Sequence, residues 1–326
     1  MKAIVVDLEK EGHPLNWEEV EDPVCGPEDV LVDIHTTAVN RADLLQRAGQ
    51  YPPPPGAPDY MGLEMAGIVA AVGKEAGAWL PGERVCGLLA GGGYAEQVVV
   101  PHRQLLPVPQ EWDFVRAGAV PEVFLTAFVN LFMEGGLQEG ETVLIHGGAS
   151  GVGTAAIQLA REAGCRVLVT ASSEEKLERC RTLGAELGVN YQERDFAEAV
   201  LEYTDGVDVV LDIAAADYLE RNLNVLKLKG RLVCIALLSG NRAEIDLGLV
   251  LRQRLRLIGS VLRSRSLEEK GEIVHQFRRR FWSLLESGQI EPIIDTVLPI
   301  EQVERGHEIL MNNANIGKVV LKVRES

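Results

Sequence analysis

The stretch TVLIHGGASGVGTAAIQLA, Thr142 to Ala160, constrains the fold of this chain more than any other. It reads as an apolar strand, a turn of small residues and a helix in direct succession. Glycines at positions 147, 148, 151 and 153, with Ser150 among them, let the backbone bend tightly and come close to a ligand. The N–H groups of Gly151, Val152 and Gly153 in the first helical turn then point at whatever lies before the helix, and the helix dipole attracts an anion there. A second strand, RVLVT, begins about twenty residues on, which completes the context of a βαβ unit. Together these features predict a dinucleotide pyrophosphate at Gly147, Ser150, Gly151, Val152 and Gly153.

The end of the second strand reports on the ribose. A 2′-hydroxyl is commonly met there by Asp or Glu, whereas this chain reads TASSEEK. Ser172 and Ser173 leave the position uncharged, and Lys176 follows within one helical turn, where an ammonium can meet a 2′-phosphate. NADPH is the expected cofactor. The competing reading makes Lys176 a solvated helix residue paired with Glu174 or Glu175.

The rest of the chain is organised around that unit. Before about residue 110 the pattern is one of short strands and turns, with KAIVVDL, DVLVDIHTTAV, MAGIVAAVG, RVCGLL and AEQVVVP separated by Gly and Pro. From Glu122 onward helices alternate with strands: helical EVFLTAFVNLFMEG, the glycine-turn unit, helical SEEKLERCRTLG, then the strands VDVVLDIA, GRLVCIAL and LRLIGSV. Such alternation predicts a parallel sheet of five or six strands. A long helix through EEKGEIVHQFRRRFWSLLESG, a helical HEILMNN and a last strand, GKVVLKV, complete the chain. The fold class is α/β, with a β-rich domain and a doubly wound one.

A net charge of −16 opposes nucleic-acid binding, which rests on basic side chains meeting phosphates. The basic clusters LRQRLRLIGSVLRSR and HQFRRRFW read as a solvated face or a subunit rim. No apolar run is long enough to span a membrane, and the first residues turn polar too early for a secretory signal, so a cytoplasmic location is expected. The five cysteines are scattered without a CxxC pair, which predicts neither a disulfide framework nor a metal knuckle.

AVNRADLLQRAGQYPPPPG, GLEMAGIVAAVG, GGGYAEQVVVP, FLTAF, HGGASGVGTAAIQLA, LRSR and NIGKVVL carry a resemblance that runs nearly end to end. The chain resembles the medium-chain dehydrogenase/reductase superfamily, in particular its zinc-free quinone oxidoreductases and most closely the p53-inducible quinone reductase type. The resemblance implies a GroES-like catalytic domain over residues 1–121 and 268–326, interrupted by a Rossmann domain over 122–267, with cofactor and substrate between them. In zinc-dependent relatives a His precedes the glutamate that corresponds to Glu64, and a Cys stands in the segment corresponding to AVNRAD. Leu63 and Asn40 occupy those places here, and neither is an ordinary zinc ligand. A cysteine lobe is also missing, because only seven residues separate Cys86 from Tyr94. No metal is expected, and Glu64 is read as an architectural carboxylate, hydrogen-bonded or ion-paired in the domain core.

The same resemblance assigns the remaining positions. Asn40 and Tyr51 are the expected catalytic residues, offering neutral hydrogen bonds to a carbonyl oxygen of a small-molecule quinone or other electrophilic acceptor. Thr126 is implied near the nicotinamide, Tyr191 near the adenosine, Arg265 at the pyrophosphate and Asn315 at the cleft. Each also has a plainer reading: a turn or cap amide for Asn40, ring packing beside the prolines for Tyr51, a helix hydroxyl for Thr126, a half-buried phenol for Tyr191, a rim cation for Arg265 and a turn amide for Asn315. A quinone suits a metal-free site, because its reduction gives a delocalised anion that needs little external stabilisation. An activated alkene is the alternative acceptor, and a cofactor-binding sensor or structural protein with little turnover is the alternative class. Finally, LRLIGSV is expected at a sheet edge, where pairing with its symmetry mate would make a homodimer.

Overall fold

The computed structural model describes residues 1–324 and divides into two units, one built from Met1–Leu125 with Leu262–Ser326 and the other from Thr126–Val261. Residues 122–125 and 262–267 go with the first unit, four and six residues inside the domain limits read from the sequence.

The first unit is organised by the strand Asp29–Val39. Its sheet runs in the order Ile294–Pro299, Lys318–Lys322, Asp29–Val39, Glu64–Val72, Arg84–Leu88, Leu105–Pro107, and Gln97–Pro101 pairs with the first half of Asp29–Val39. Alternation explains the layering. Val30, Val32 and Ile34 point one way into a core with Met65, Val69, Val85, Val98 and Val100. Val39 joins a second core with Met61, Tyr94, Val319 and Leu321. A separate two-stranded ribbon pairs Lys2–Val6 with Leu15–Glu19.

The sequence pattern passes over Leu15–Glu19, Leu187–Asn190 and Ile294–Pro299 as strands. All three are short and interrupted, with polar or glycine residues at three of five, two of four and two of six positions, so no period-2 apolar signal marks them. One helix also differs from expectation. The segment beginning at Pro121 is α-helical only to Phe128 and continues as a π-helix over Val129–Glu134. Arg231 draws on the carbonyls just beyond it, donating to Gly135 O at 2.8 Å and Gly136 O at 3.2 Å while pairing with Glu141.

The second unit is a six-stranded, wholly parallel sheet in the order Leu187–Asn190, Arg166–Ala171, Thr142–His146, Val207–Asp212, Leu226–Cys234, Arg256–Gly259. This is the doubly wound Rossmann arrangement, and every residue of Thr142–His146 is buried, as a central parallel strand requires. The strand order reverses between Thr142–His146 and Val207–Asp212, the point at which such sheets bind ligands. Arg256–Gly259 closes one edge, as LRLIGSV was expected to do. Among the described residues no helix is long and apolar enough to cross a membrane.

Candidate active site

In the first unit, polar groups converge on a cation. Lys318 opens the strand Lys318–Lys322 ahead of three apolar residues, and its ammonium lies 2.7 Å from Glu64 Oε1, 2.7 Å from Asn40 Oδ1 and 3.1 Å from the Val39 carbonyl oxygen. Glu64 is 0% exposed and Lys318 is 2% exposed. The carboxylate is completed by Asn40 Nδ2, which donates to Oε1 at 2.9 Å, and by the Glu122 backbone N–H, which donates to Oε2 at 2.9 Å. The architectural role read for Glu64 has here a definite set of partners.

This arrangement bears on Asn40. Its second amide N–H donates to the Ala38 carbonyl at 3.2 Å, and its backbone N–H donates to Asp43 Oδ2 at 2.8 Å. Both side-chain N–H groups are thus used within the unit. Asp43 is itself wholly buried, receiving bonds from Tyr94 Oη at 3.0 Å and the Gly62 N–H at 3.2 Å. Burial pushes its carboxyl up to about 6, against the pull of those hydrogen bonds. Burial holds His307, 3.4 Å from the Tyr94 hydroxyl, down to about 3.

Tyr51 lies before the proline run. The Arg263 guanidinium stacks 5.1 Å from its ring centroid and donates to its carbonyl oxygen at 3.2 Å. Burial raises the phenol above its ordinary value, opposed by Arg263 and reinforced by Glu122, so the hydroxyl is a donor at neutral pH. Arg263 is 5% exposed and its other donors go to Ala90 O at 2.7 Å and Gln46 Oε1 at 2.7 Å. Arg265 is half-buried on the following loop, and Asn315 Nδ2 donates to Gly317 O at 2.7 Å. Both belong to the first unit.

In the second unit the glycine turn has a geometry that fits a dinucleotide. Gly147 takes a φ of +67°, a left-handed conformation that glycine adopts without strain. Gly153 packs so closely on the turn that a Cβ there would come 2.3 Å from Gly147 O. Ser150 caps the helix Gly151–Glu162 by accepting from the Gly153 N–H at 3.0 Å, which leaves Gly151 and Val152 at helix positions with no preceding helical carbonyl to bond. The turn is braced from behind. His146 bonds Thr170 Oγ1 at 3.0 Å and Asn222 Oδ1 at 2.7 Å, while the Thr170 carbonyl accepts from the Gly148 N–H at 2.9 Å.

Ser172, Ser173, Lys176 and Tyr191 gather at the carboxyl ends of Arg166–Ala171 and Leu187–Asn190. The Tyr191 N–H donates to Ala171 O at 3.2 Å, and Ser173 caps the next helix by accepting from the Lys176 N–H at 3.4 Å. Glu174, one of the two acidic residues that open that helix, is held by Arg181 at 2.6 Å. Thr126 begins the second unit, and its buried Oγ1 has no hydrogen-bond partner among the described residues. An orphaned hydroxyl, a cradle closed to side chains and open N–H groups are what a bound dinucleotide would answer.

The sequence reading did not name Lys318, Glu122 or Arg263 as site residues. A lysine within GKVVLK at an inward-facing position is the one available signal, and only the sheet shows which way it points. Among the described residues no group of three or more His, Cys, Asp or Glu side chains is placed to hold a metal ion.

A parallel Rossmann unit with a glycine turn, joined to a β-rich unit around a buried lysine and carboxylate, defines a nucleotide-dependent oxidoreductase. Residues 26–110 match the family described as alcohol dehydrogenase GroES-like domain and residues 151–277 that described as zinc-binding dehydrogenase. The mouse quinone oxidoreductase is 31% identical over 311 residues, covering 93% of this chain and 92% of the relative. The structure of the Thermus thermophilus quinone oxidoreductase, solved also with NADPH, is 31% identical with a TM-score of 0.85, covering 99% of this chain and 100% of that one. The CurK enoyl reductase structure is 26% identical with a TM-score of 0.86 over 98% of each chain. The chain belongs to the medium-chain dehydrogenase/reductase superfamily, among the quinone oxidoreductase homologues.

Two outcomes test the first unit's site. Lys318→Met or Glu64→Gln alone strands a buried charge and is expected to lower unfolding free energy by about 3–5 kcal/mol. The double variant should lose clearly less than the two single losses added, read by chemical denaturation of all four proteins. Strict additivity would show that the two charges are not coupled. Glu122 provides the second. Burial and the neighbouring Glu64 carboxylate raise its carboxyl to about 8. Folding therefore favours the protonated form. Its contribution is full below the ordinary value of 4.5 and is lost as pH rises through about 8. Melting temperatures measured from about pH 5 to about pH 9 should fall more steeply for the parent than for Glu122→Gln; parallel curves would mean that Glu122 ionises freely.

Proposed function

We propose that the chain uses NADPH, in preference to NADH, to reduce a quinone or another electrophilic acceptor. The observation that carries the cofactor reading is the uncharged end of Arg166–Ala171, where Ser172 and Ser173 precede Lys176 and Tyr191 directly follows the adjoining strand. When bound, NADPH would supply the hydride. The chain's own residues hold the pyrophosphate through the N–H groups of Gly151 and Val152 and offer the Thr126 hydroxyl near the nicotinamide.

The acceptor reading rests on donor chemistry. Leu63 has no ligand atom and the Asn40 carboxamide oxygen already accepts from Lys318, so these positions offer no Lewis acid for an alkoxide. A quinone spreads the incoming charge over its own ring, and one hydrogen bond from the Tyr51 hydroxyl orients it. Asn40 contributes by holding Lys318 and Glu64 in place. The similarity to quinone oxidoreductases supports this reading, and the similarity to an enoyl reductase supports reduction of an activated C=C bond as the second one. In that case Tyr51 would protonate the α-carbon. A low-turnover cofactor-binding protein is the third.

NADPH oxidation across ortho- and para-quinones, enoyl thioesters and alkenals separates the three. On the leading reading NADPH binds more tightly than NADH, and Lys176→Ala narrows the gap by roughly 1.5–3 kcal/mol. Tyr51→Phe should then lower kcat/KM for quinones by about 1–3 kcal/mol while NADPH affinity holds, whereas an alkene reductase would lose turnover by several orders of magnitude. Equal binding of both cofactors, or unimpaired Tyr51→Phe rates on every acceptor, would count against it.

Assembly follows from the second unit's edge. Arg256–Gly259 ends the sheet; Leu257 on it and Val261 just after it are exposed, as are Leu247 and Leu251 on the preceding helix, Leu251 by 76%. Pairing of this strand with its counterpart in a second copy would cover the open edge. Light scattering at micromolar concentration is expected to give the mass of a homodimer; a monomer would refute the pairing.

A further inference from the structure

Apart from the ion-pair centre, the first unit contains a cavity of about 650 Å³, a size suited to a small organic molecule. Its wall is largely apolar, with Pro54, Pro58 and Leu88 among its residues and the ring of Tyr60 beside them. The side chains lining it carry three cations, Arg263, Arg265 and Lys270, and one carboxylate, Asp29.

Two of the lining side chains are polar, almost completely buried and unanswered by the fold. Lys270, on the helix Leu267–Glu286, is 3% exposed, and Gln104 is 2% exposed. Neither the Lys270 ammonium nor the Gln104 carboxamide has a hydrogen-bond or ion-pair partner among the described residues. Arg263 adds positive field, but its printed donors already go to Ala90, Tyr51 and Gln46 within the protein. Glu122 acts on Lys270 only through space, and burial, the larger influence, lowers the ammonium's pKa. The polar ends of Lys270 and Gln104 therefore meet the cavity and not the protein, and a ligand that supplies acceptors there makes hydrogen bonds that the fold leaves open.

We propose that this cavity binds a small aromatic carboxylate, with its carboxylate against the Lys270 ammonium and the Gln104 N–H and its ring against the proline wall and Tyr60. One ammonium and one amide match a single monoanionic head group. The mainly apolar lining, with Pro54, Pro58 and Leu88, favours a flat apolar body over a sugar phosphate, whose shell of hydroxyls would lose water against those residues.

The test uses the full chain and a pair of probes of the same shape, 2-naphthoate and its neutral analogue 2-naphthamide, titrated calorimetrically. The site predicts one naphthoate per chain, bound about tenfold or more tightly than naphthamide. The same margin should be lost in Lys270→Met and in Gln104→Leu, each checked for native circular dichroism and melting. Two variants are used so that misfolding of one does not remove the test. Absence of naphthoate binding, equal affinity for the two probes, or an undiminished preference in a folded variant would overturn the proposal.

Discussion

The ammonium of Lys318 joins parts of the chain that are far apart in sequence: Val39 and Asn40 at the end of the central strand, Glu64 at the start of its neighbour, and, through Glu64, the backbone of Glu122. A buried lysine and a buried carboxylate gain little stability over an apolar pair of similar volume. Their effect is on uniqueness, because any slip of register would leave both charges unpaired in the core. The rest of the polar interior is arranged around this requirement. Asn40 presents its oxygen to the cation and its N–H to the anion, and its backbone is held in turn by Asp43, which Tyr94 and Gly62 support.

The second unit meets a comparable demand by a different route. Its ligand site is made mainly of backbone, so the side chains act by holding the turn in shape. Gly147 supplies the conformation, Gly153 the close approach, and the His146–Thr170–Asn222 chain fixes the turn from the side away from the ligand. Thr126 adds a buried hydroxyl beside a π-helix, an irregularity that frequently marks functional positions in helices. Rigid backbone donors of this kind bind an anion without reorganising, which is why the geometry can exist before the ligand arrives.

How much of this was legible depends on the range of the interaction. The parallel sheet, the glycine turn, its capping serine and the uncharged end of the second strand are local patterns, and each is recoverable from a window of about twenty residues. The strand Leu187–Asn190 was not, because half of its residues are glycine or asparagine and its place is dictated by Arg166–Ala171 alongside it. The hydrogen bonds of the Asn40 amide were not legible, since Lys318, which donates to its oxygen, lies 278 positions away. Glu122 illustrates the same limit: nothing near it in sequence raises its carboxyl, and the two causes, burial and Glu64, are tertiary.

The sequence by itself therefore determined the α/β class, the dinucleotide turn, the absence of ordinary zinc ligands at positions 40 and 63, and the edge position of LRLIGSV. The class and the turn follow from steric and hydrogen-bonding preferences that act over a few residues, the reading of positions 40 and 63 from the resemblance to zinc-dependent relatives, and the edge from LRLIGSV being the last strand of the alternating run. Tertiary structure alone decided that Lys318 points inward to meet Glu64, that Arg263 lies over Tyr51, and that Lys270 and Gln104 face one cavity without partners. Those outcomes depend on which charges are buried together, and burial is a property of the assembled sheets and helices that no local pattern contains.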